Sequence, residues 1–244
     1  MKKVVVYTAV TRGFETIRDP EVMSKEIDYI CYSDNPRIVR GTVWQYREIS
    51  DIGLDPVRVT KHIKIMPHLY FPEYERSIWV DGRVLVRGDI SSLLDRCLAE
   101  KGCAFAMHPW RNSIYDEAQA CIQKGKDSVR VIESQMARYR AEGYPEENGL
   151  ISGGVILRNH HDAQVQQVME AWWEEVFNGS LRDQLSFNYV AWKNNFNYAL
   201  IPGDIWENEW FAVVPRRKTI AYYRQRIRAR LNQLLNRNAS VEGR

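Results

Sequence analysis

Four groups of side chains have the types and spacing to do chemistry. Asp81-Gly82-Arg83 stands between two short apolar runs, residues 77–80 and 84–86, which puts a carboxylate and a guanidinium at the edge of a buried sheet. The plain alternative is a hairpin whose Asp-Gly pair only makes a tight turn. Lys61, Lys64 and His68 recur at i, i+3 and i+7, one face of a helix, and two ammonium groups there suit a phosphate as well as they suit solvent. Arg182-Asp183-Gln184 joins a two-oxygen acceptor to a mixed donor and acceptor, the set that a row of sugar hydroxyls needs. An acid at a helix start also offsets the helix dipole, for about 0.3–1 kcal/mol. His108 and Arg111 follow the apolar run 103–107, either satisfying each other or joining the same site.

Periodicity predicts the elements that must position these groups. Strands are expected over 4–10, 28–32, 44–49, 77–86 with its central turn, 103–107 and 151–157, most of them ending in small or polar residues. That is the pattern of a parallel sheet whose carboxyl ends form a ligand edge. Ser152-Gly153-Gly154 inside the last strand implies that something approaches the backbone closely. Asp55-Pro56 reads as an N-cap with proline in the first turn, opening a helix over 56–70 with Pro67 kinking its last turn. Further helices are expected over 91–98, 113–124, 128–142 and 161–177, and Ser180 is expected to cap one with Arg182, Asp183 and Gln184 in its first turn.

Length and charge narrow the class. The 244 residues, 45% hydrophobic and 27% charged, suit a globular chain with one large core. Eight Trp and thirteen Tyr are generous and suit stacking surfaces, although most are expected in the core. No apolar run approaches the roughly 18 residues needed to cross a bilayer, and Val4–Val10 is too short for a signal peptide core. Cys31, Cys97, Cys103 and Cys121 lack paired spacing for metal, so reduced, buried thiols in a cytoplasmic protein are expected. Neither do His62, His108 and His160 with His161 show zinc-ligand spacing, and the last two are expected on the surface. From Pro215 on, nine Lys or Arg face one acid, so the first 214 residues are net acidic, which argues against nucleic acid as a partner. Residues 1–214 are expected to form one domain and 215–244 a basic amphipathic helix and tail. That helix could lie on an anionic membrane at the inner face of the bilayer, bind a partner, or pack on its own domain.

In chain order these segments resemble a glycosyltransferase-like domain family of plant mucilage and bacterial polysaccharide proteins. The pattern appears in Lys64-Ile65-Met66-Pro67-His68, Ser77-Ile78-Trp79-Val80-Asp81-Gly82, His108 to Arg111, Glu117-Ala118 and Ser180 to Phe187. More distantly, Asp81-Gly82-Arg83 resembles the Asp-X-Asp segment of glycogenin- and galactosyltransferase-like enzymes of the GT-A fold. Residues 151–157 and 182–184 resemble that group's glycine strand and its aspartate-glutamine helix start.

The resemblance implies an α/β, GT-A-like, mostly parallel sheet flanked by helices, and transfer of a hexose from a uridine diphosphate sugar to a saccharide acceptor in polysaccharide synthesis. The anomeric configuration is retained if the glycogenin-like comparison extends that far. It implies that Asp183, Gln184 and Arg83 act in catalysis. Thr8, Ala9, Asp34, Lys61, Lys64, Asp81, Gly82 and Arg182 would hold the donor, and His108, Arg111, Ser152, Gly153 and Gly154 the acceptor. In the glycogenin-like pattern two acids and a late histidine hold a manganese or magnesium ion. Here Arg83 replaces the second acid and no histidine follows His161, so no metal is expected, and Asp81 is its one candidate ligand. Two rival readings share these residues: an inactive sugar-binding module, and a hydrolase using Asp81 or Asp183 with His108.

Overall fold

The computed structural model describes residues 4–13 and 15–215, with residues 227 and 231 beyond them. A seven-stranded sheet runs in the order β3 (Gln45–Glu48), β2 (Ile27–Ser33), β1 (Val4–Val10), β4 (Arg76–Val80), β7 (Ile151–Arg158), β6 (Cys103–Met107) and β8 (Ala199–Leu200). β7 alone runs against its two neighbours, and the remaining pairs are parallel. This is the α/β, mostly parallel architecture expected of a GT-A-like chain.

Alternation along β1 shows why the sheet is covered on both faces. Val5 and Tyr7 enter a core shared with α1 (Pro56–Ile65), α4 (Ile114–Gln123), α5 (Val129–Ala141), α6 (Ala163–Asn178) and α7 (Phe187–Lys193). Val4 and Val6 enter the opposite core, filled from α3 (Ile90–Leu98) by Ile90, Leu93 and Leu94. Successive side chains of a strand point to opposite faces, so a continuous apolar run is the signature of such a two-sided strand. All four cysteines are buried and free.

The plain-hairpin alternative at Asp81 falls away, and two expectations about local structure are corrected. β4 does not form a hairpin with β5 (Val84–Val86): β4 stays in the main sheet, while β5 pairs with β9 (Phe211–Val213) in a separate two-stranded sheet. Asp81-Gly82-Arg83 is therefore a turn by which the chain leaves the sheet edge, closed by the Val84 N–H on the Asp81 carbonyl at 2.7 Å. The helix over 56–70 is broken, not kinked, because Met66 leaves helical geometry ahead of Pro67 and a separate turn, α2 (Pro67–Tyr70), follows, as a proline's effect on the preceding residue demands. Ser180 caps no helix. Its hydroxyl donates to Asp127, and Asp183–Leu185 form a short 3-10 helix ahead of α7.

His160 is a third correction. It is fully buried, with Nε2 3.0 Å from the Phe71 carbonyl, whereas His161 is exposed. Among the described residues no helix is long and apolar enough to cross a membrane. The expected basic helix falls almost wholly outside the described residues, of which Ile227 and Leu231 are helical and exposed.

Candidate active site

The carboxyl ends of β1, β4 and β6, with the start of β7 between the last two, converge as the alternation of the chain predicts. The centre of this edge is an ion-paired cluster. Asp183 is buried and receives Lys61 Nζ on Oδ1 at 2.8 Å and Lys64 Nζ on Oδ2 at 2.5 Å. Lys64 Nζ also lies 3.9 Å from Asp81 Oδ1 and 5.6 Å from the centre of the Trp79 ring. Burial pushes the Asp183 carboxyl up, but Lys61 and Lys64 outweigh it and hold it well below the usual carboxylate range. Lys61 is shifted down by its own burial against the pull of Asp183.

The fold fixes Lys64 from its backbone. The last carbonyls of a helix lack intrahelical partners, and at the end of α1 the Tyr7 hydroxyl donates to Lys64 O at 2.8 Å while Arg158 Nη1 donates to Ile65 O at 3.2 Å. Arg158 is fully buried and its Nη2 also donates to the Tyr7 hydroxyl at 3.0 Å. A guanidinium at a helix C-terminus meets the negative end of the dipole. Under the ammonium lies Gly153, where a Cβ would stand 2.7 Å from Lys64 Nζ and 3.2 Å from Asp183 Oδ2. The close approach expected at the glycine pair is thus the lysine itself. The ladder between β6 and β7 shifts between Phe105 and Ala106, from Ile156 to Ser152, so residues 153–155 have no partner on β6, and the Asp81 N–H donates to Gly154 O at 2.9 Å.

Asp81 is the open acid of the cluster. Its Oδ1 accepts from Trp79 Nε1 at 2.9 Å, and its side chain is 48% exposed. Arg83 Nε donates to Val214 O at 3.2 Å and the Arg83 carbonyl accepts from Val214 N at 2.9 Å, which ties the turn to the chain just past β9. Gly82 is approached by Glu15, whose Oε2 would stand 2.8 Å from an added Cβ. At the end of β1, Thr8 is buried and its hydroxyl has no hydrogen-bond partner, Ala9 is half-buried, and Asp34 accepts from the Arg12 N–H at 2.8 Å.

Beside this cluster is a second one, centred on Glu117. Its carboxylate accepts from Arg111 Nη1 and from Gln184 Nε2, each at 2.6 Å, and faces His108 Nε2 at 3.6 Å. Arg182 Nη2 donates to Gln184 Oε1 at 3.1 Å. His108 Nδ1 accepts from the Arg111 N–H at 3.1 Å, so the ring carries its proton on Nε2, toward Glu117. Burial lowers its pKa, Glu117 opposes and Arg111 reinforces. Glu117 belongs to no group that the spacing singled out. Its signal was legible all the same: it lies on the apolar stripe Ile114, Ala118, Cys121 of α4, and a charge on a core face needs partners there. His68, expected on the lysine face, is instead on α2 with Glu170 Oε1 3.9 Å away, because the break at Met66 ends the helical register.

Residues 40–224 match the model of the TOD1/MUCI70 glycosyltransferase-like domain. The chain belongs to this family. Within it, the probable hexosyltransferase MUCI70 of Arabidopsis thaliana is 27% identical over 77% of this chain and 37% of its own length, so the chain spans little more than a third of that relative. Mouse xyloside xylosyltransferase 1, a solved structure, is 12% identical with a TM-score of 0.48, over 80% of this chain and 84% of that one. The TOD1/MUCI70 match takes in both clusters, from Lys61 to Gln184, and stops short of β1 and β2.

Proposed function

We propose that this chain is a glycosyltransferase domain that moves a hexose from a uridine diphosphate sugar to a saccharide acceptor. The observation that carries the reading is the Lys61–Asp183–Lys64 cluster beside Asp81, at the strand ends of a glycosyltransferase-like domain. A diphosphate leaving group develops negative charge as the sugar departs, and fixed cations in a water-poor site stabilise it without reorganising. Lys61, whose side chain is 19% exposed, is the ammonium best placed to exchange Asp183 for a phosphate oxygen. Asp183 holds Lys64 beneath it as an ion pair, Gln184 and Arg182 present amide and guanidinium groups to the sugar, and Asp81 accepts from a ribose or sugar hydroxyl.

A divalent cation does not fit these residues. Hard cations need several oxygen ligands, yet among the described residues no three His, Cys, Asp or Glu side chains converge as a metal site. Asp81 already accepts from Trp79 and faces Lys64, a positive neighbour that repels an ion. The guanidinium of Arg83 supplies permanent charge at the position of the second acid.

Calorimetric titration with uridine diphosphate, and turnover read as free nucleoside diphosphate, test the proposal with excess chelator present. Binding and turnover are expected to persist, and Arg83→Ala to lower turnover by about a hundredfold. Activity abolished by chelator and restored by manganese, with Arg83→Ala near wild type, overturns the cation-independent reading. Binding without turnover on any saccharide acceptor identifies a sugar-binding module instead.

A further inference from the structure

Trp110 is the most exposed of the eight tryptophans, at 66%, and Trp206 is 39% exposed. Burying an indole is worth more than burying almost any other side chain, so two adjacent indoles left in water mark a binding surface more readily than a packing accident. They come from distant parts of the chain, the loop after β6 and the loop between β8 and β9, and their ring centres are 5.3 Å apart with the planes tilted by 38°.

Both indoles border the candidate active site. The Trp110 ring meets the His108 ring edge-on at 5.9 Å, and His108 Nε2 faces Glu117, which holds Gln184. On the other side, the Trp206 carbonyl accepts from the Val213 N–H at 2.9 Å, next to Val214, whose N–H and carbonyl bond to Arg83. The pair therefore spans from the Glu117 cluster to the Asp81-Gly82-Arg83 turn. The loop that carries Trp206 is also pre-set: the Trp206 backbone N–H donates to Asp204 Oδ1 at 2.9 Å and Asn208 Oδ1 accepts from the Trp210 and Phe211 backbone N–H groups, which reduces the ordering cost of binding.

We infer that Trp110 and Trp206 form an acceptor subsite that stacks a pyranose ring of a saccharide beside the transfer site. The C–H groups on one face of a pyranose are partly positive and meet the negative face of an indole, while the ring's hydroxyls need polar partners at the rim. Here the rim is polar: Arg111 is held on Glu117 at 2.6 Å and is 23% exposed, and Asp204 stands at the base of Trp206. An aromatic surface interrupted by charged groups suits a sugar better than the apolar face of a protein partner. The inference deepens the glycosyltransferase reading and rests on it.

A printed array of pyranose oligosaccharides, probed in the presence of uridine diphosphate, tests it. The wild-type protein is expected to bind a subset of the array, and Trp110→Ala and Trp206→Ala each to weaken that binding by about tenfold, the value of one aromatic contact. Phe177→Ala, an exposed ring on α6, is expected to leave it unchanged, and all three to keep wild-type melting temperatures and uridine diphosphate affinity. No array binding by the wild type, or wild-type binding by both tryptophan variants, overturns the subsite. So does a concentration-dependent dimer in sedimentation that Trp110→Ala dissociates, since the indoles then cover a second copy. Retained, tryptophan-dependent glycan binding with no affinity for uridine diphosphate instead overturns the donor reading alone.

Discussion

Asp183 is the residue whose removal exposes the logic of the site. It is one carboxylate against two ammonium groups, and Lys64 is as buried as its partner. Taking one partner from a buried ion pair leaves a charge without compensation, which costs about 3–5 kcal/mol. Asp183→Asn is expected to lose stability of that order, seen as a lower urea midpoint, and to lose turnover by orders of magnitude. Replacing Lys64 as well, in Lys64→Met/Asp183→Asn, should recover part of the stability and none of the turnover. A double variant no more stable than the single one would show that the two residues do not act as a pair. The lysines read from the sequence as phosphate ligands and the acid read as a sugar ligand thus belong to one cluster, joined by 122 positions of chain that no spacing rule connects.

At the scale of elements, β7 does most to shape the site. It enters the sheet antiparallel, bulges against β6, and brings Gly153 under Lys64. Gly153→Ala puts a methyl where the ammonium stands, and the lysine cannot swing away without leaving Asp183. A cost of about 1–3 kcal/mol follows from such overpacking, with turnover reduced alongside; thermal unfolding and kinetics on the same variant check it. Gly154→Ala meets only ordinary contacts, the nearest Ser152 Oγ at 3.7 Å, and is expected to be milder. Equal penalties at the two glycines would remove the Lys64 explanation. The strand was readable from its apolar run, and its glycines signalled a close approach. Its direction and bulge were not, because both depend on which strands lie beside it.

Across the whole molecule, His160 couples stability to pH. It is buried between the end of β7 and the Phe71 carbonyl, and burial, helped by His161 and Arg158, lowers its pKa to about 4. The unfolded chain takes up this proton near pH 6.5, so between those values the unfolded state binds more protons and stability rises with pH. The contribution is complete above about pH 6.5 and is lost as pH falls toward 4, for about 3 kcal/mol at 1.36 kcal/mol per pH unit. Urea titrations at pH 7.5, 6 and 5 are expected to follow this slope, and His160→Gln to flatten it. An unchanged slope in the variant would assign the dependence to other groups. Asp183 responds in a different window, since its lowered pKa makes its contribution disappear only below about pH 4.

The sequence by itself determined the α/β class and which polar residue types collect at the strand ends, because two-residue and 3.6-residue periodicities and capping residues act locally. It also determined that Asp81 follows the end of a strand, that Asp183 and Gln184 begin a helical turn, and that the lysines share one face of a helix. Tertiary structure decided which charges meet. Lys61 and Lys64 turn to Asp183 in place of solvent because the Tyr7 hydroxyl and buried Arg158 hold the end of α1 over β7. Glu117 gathers His108, Arg111 and Gln184 because α4 lays its core face against the 3-10 turn. β5 leaves β4 for β9 because a strand edge is completed by whichever partner the fold brings alongside, and that partner lies 125 residues or more away in the chain. Pairings between distant residues cost loop-closure entropy that only the assembled core repays, so they are properties of the whole fold and leave no local trace.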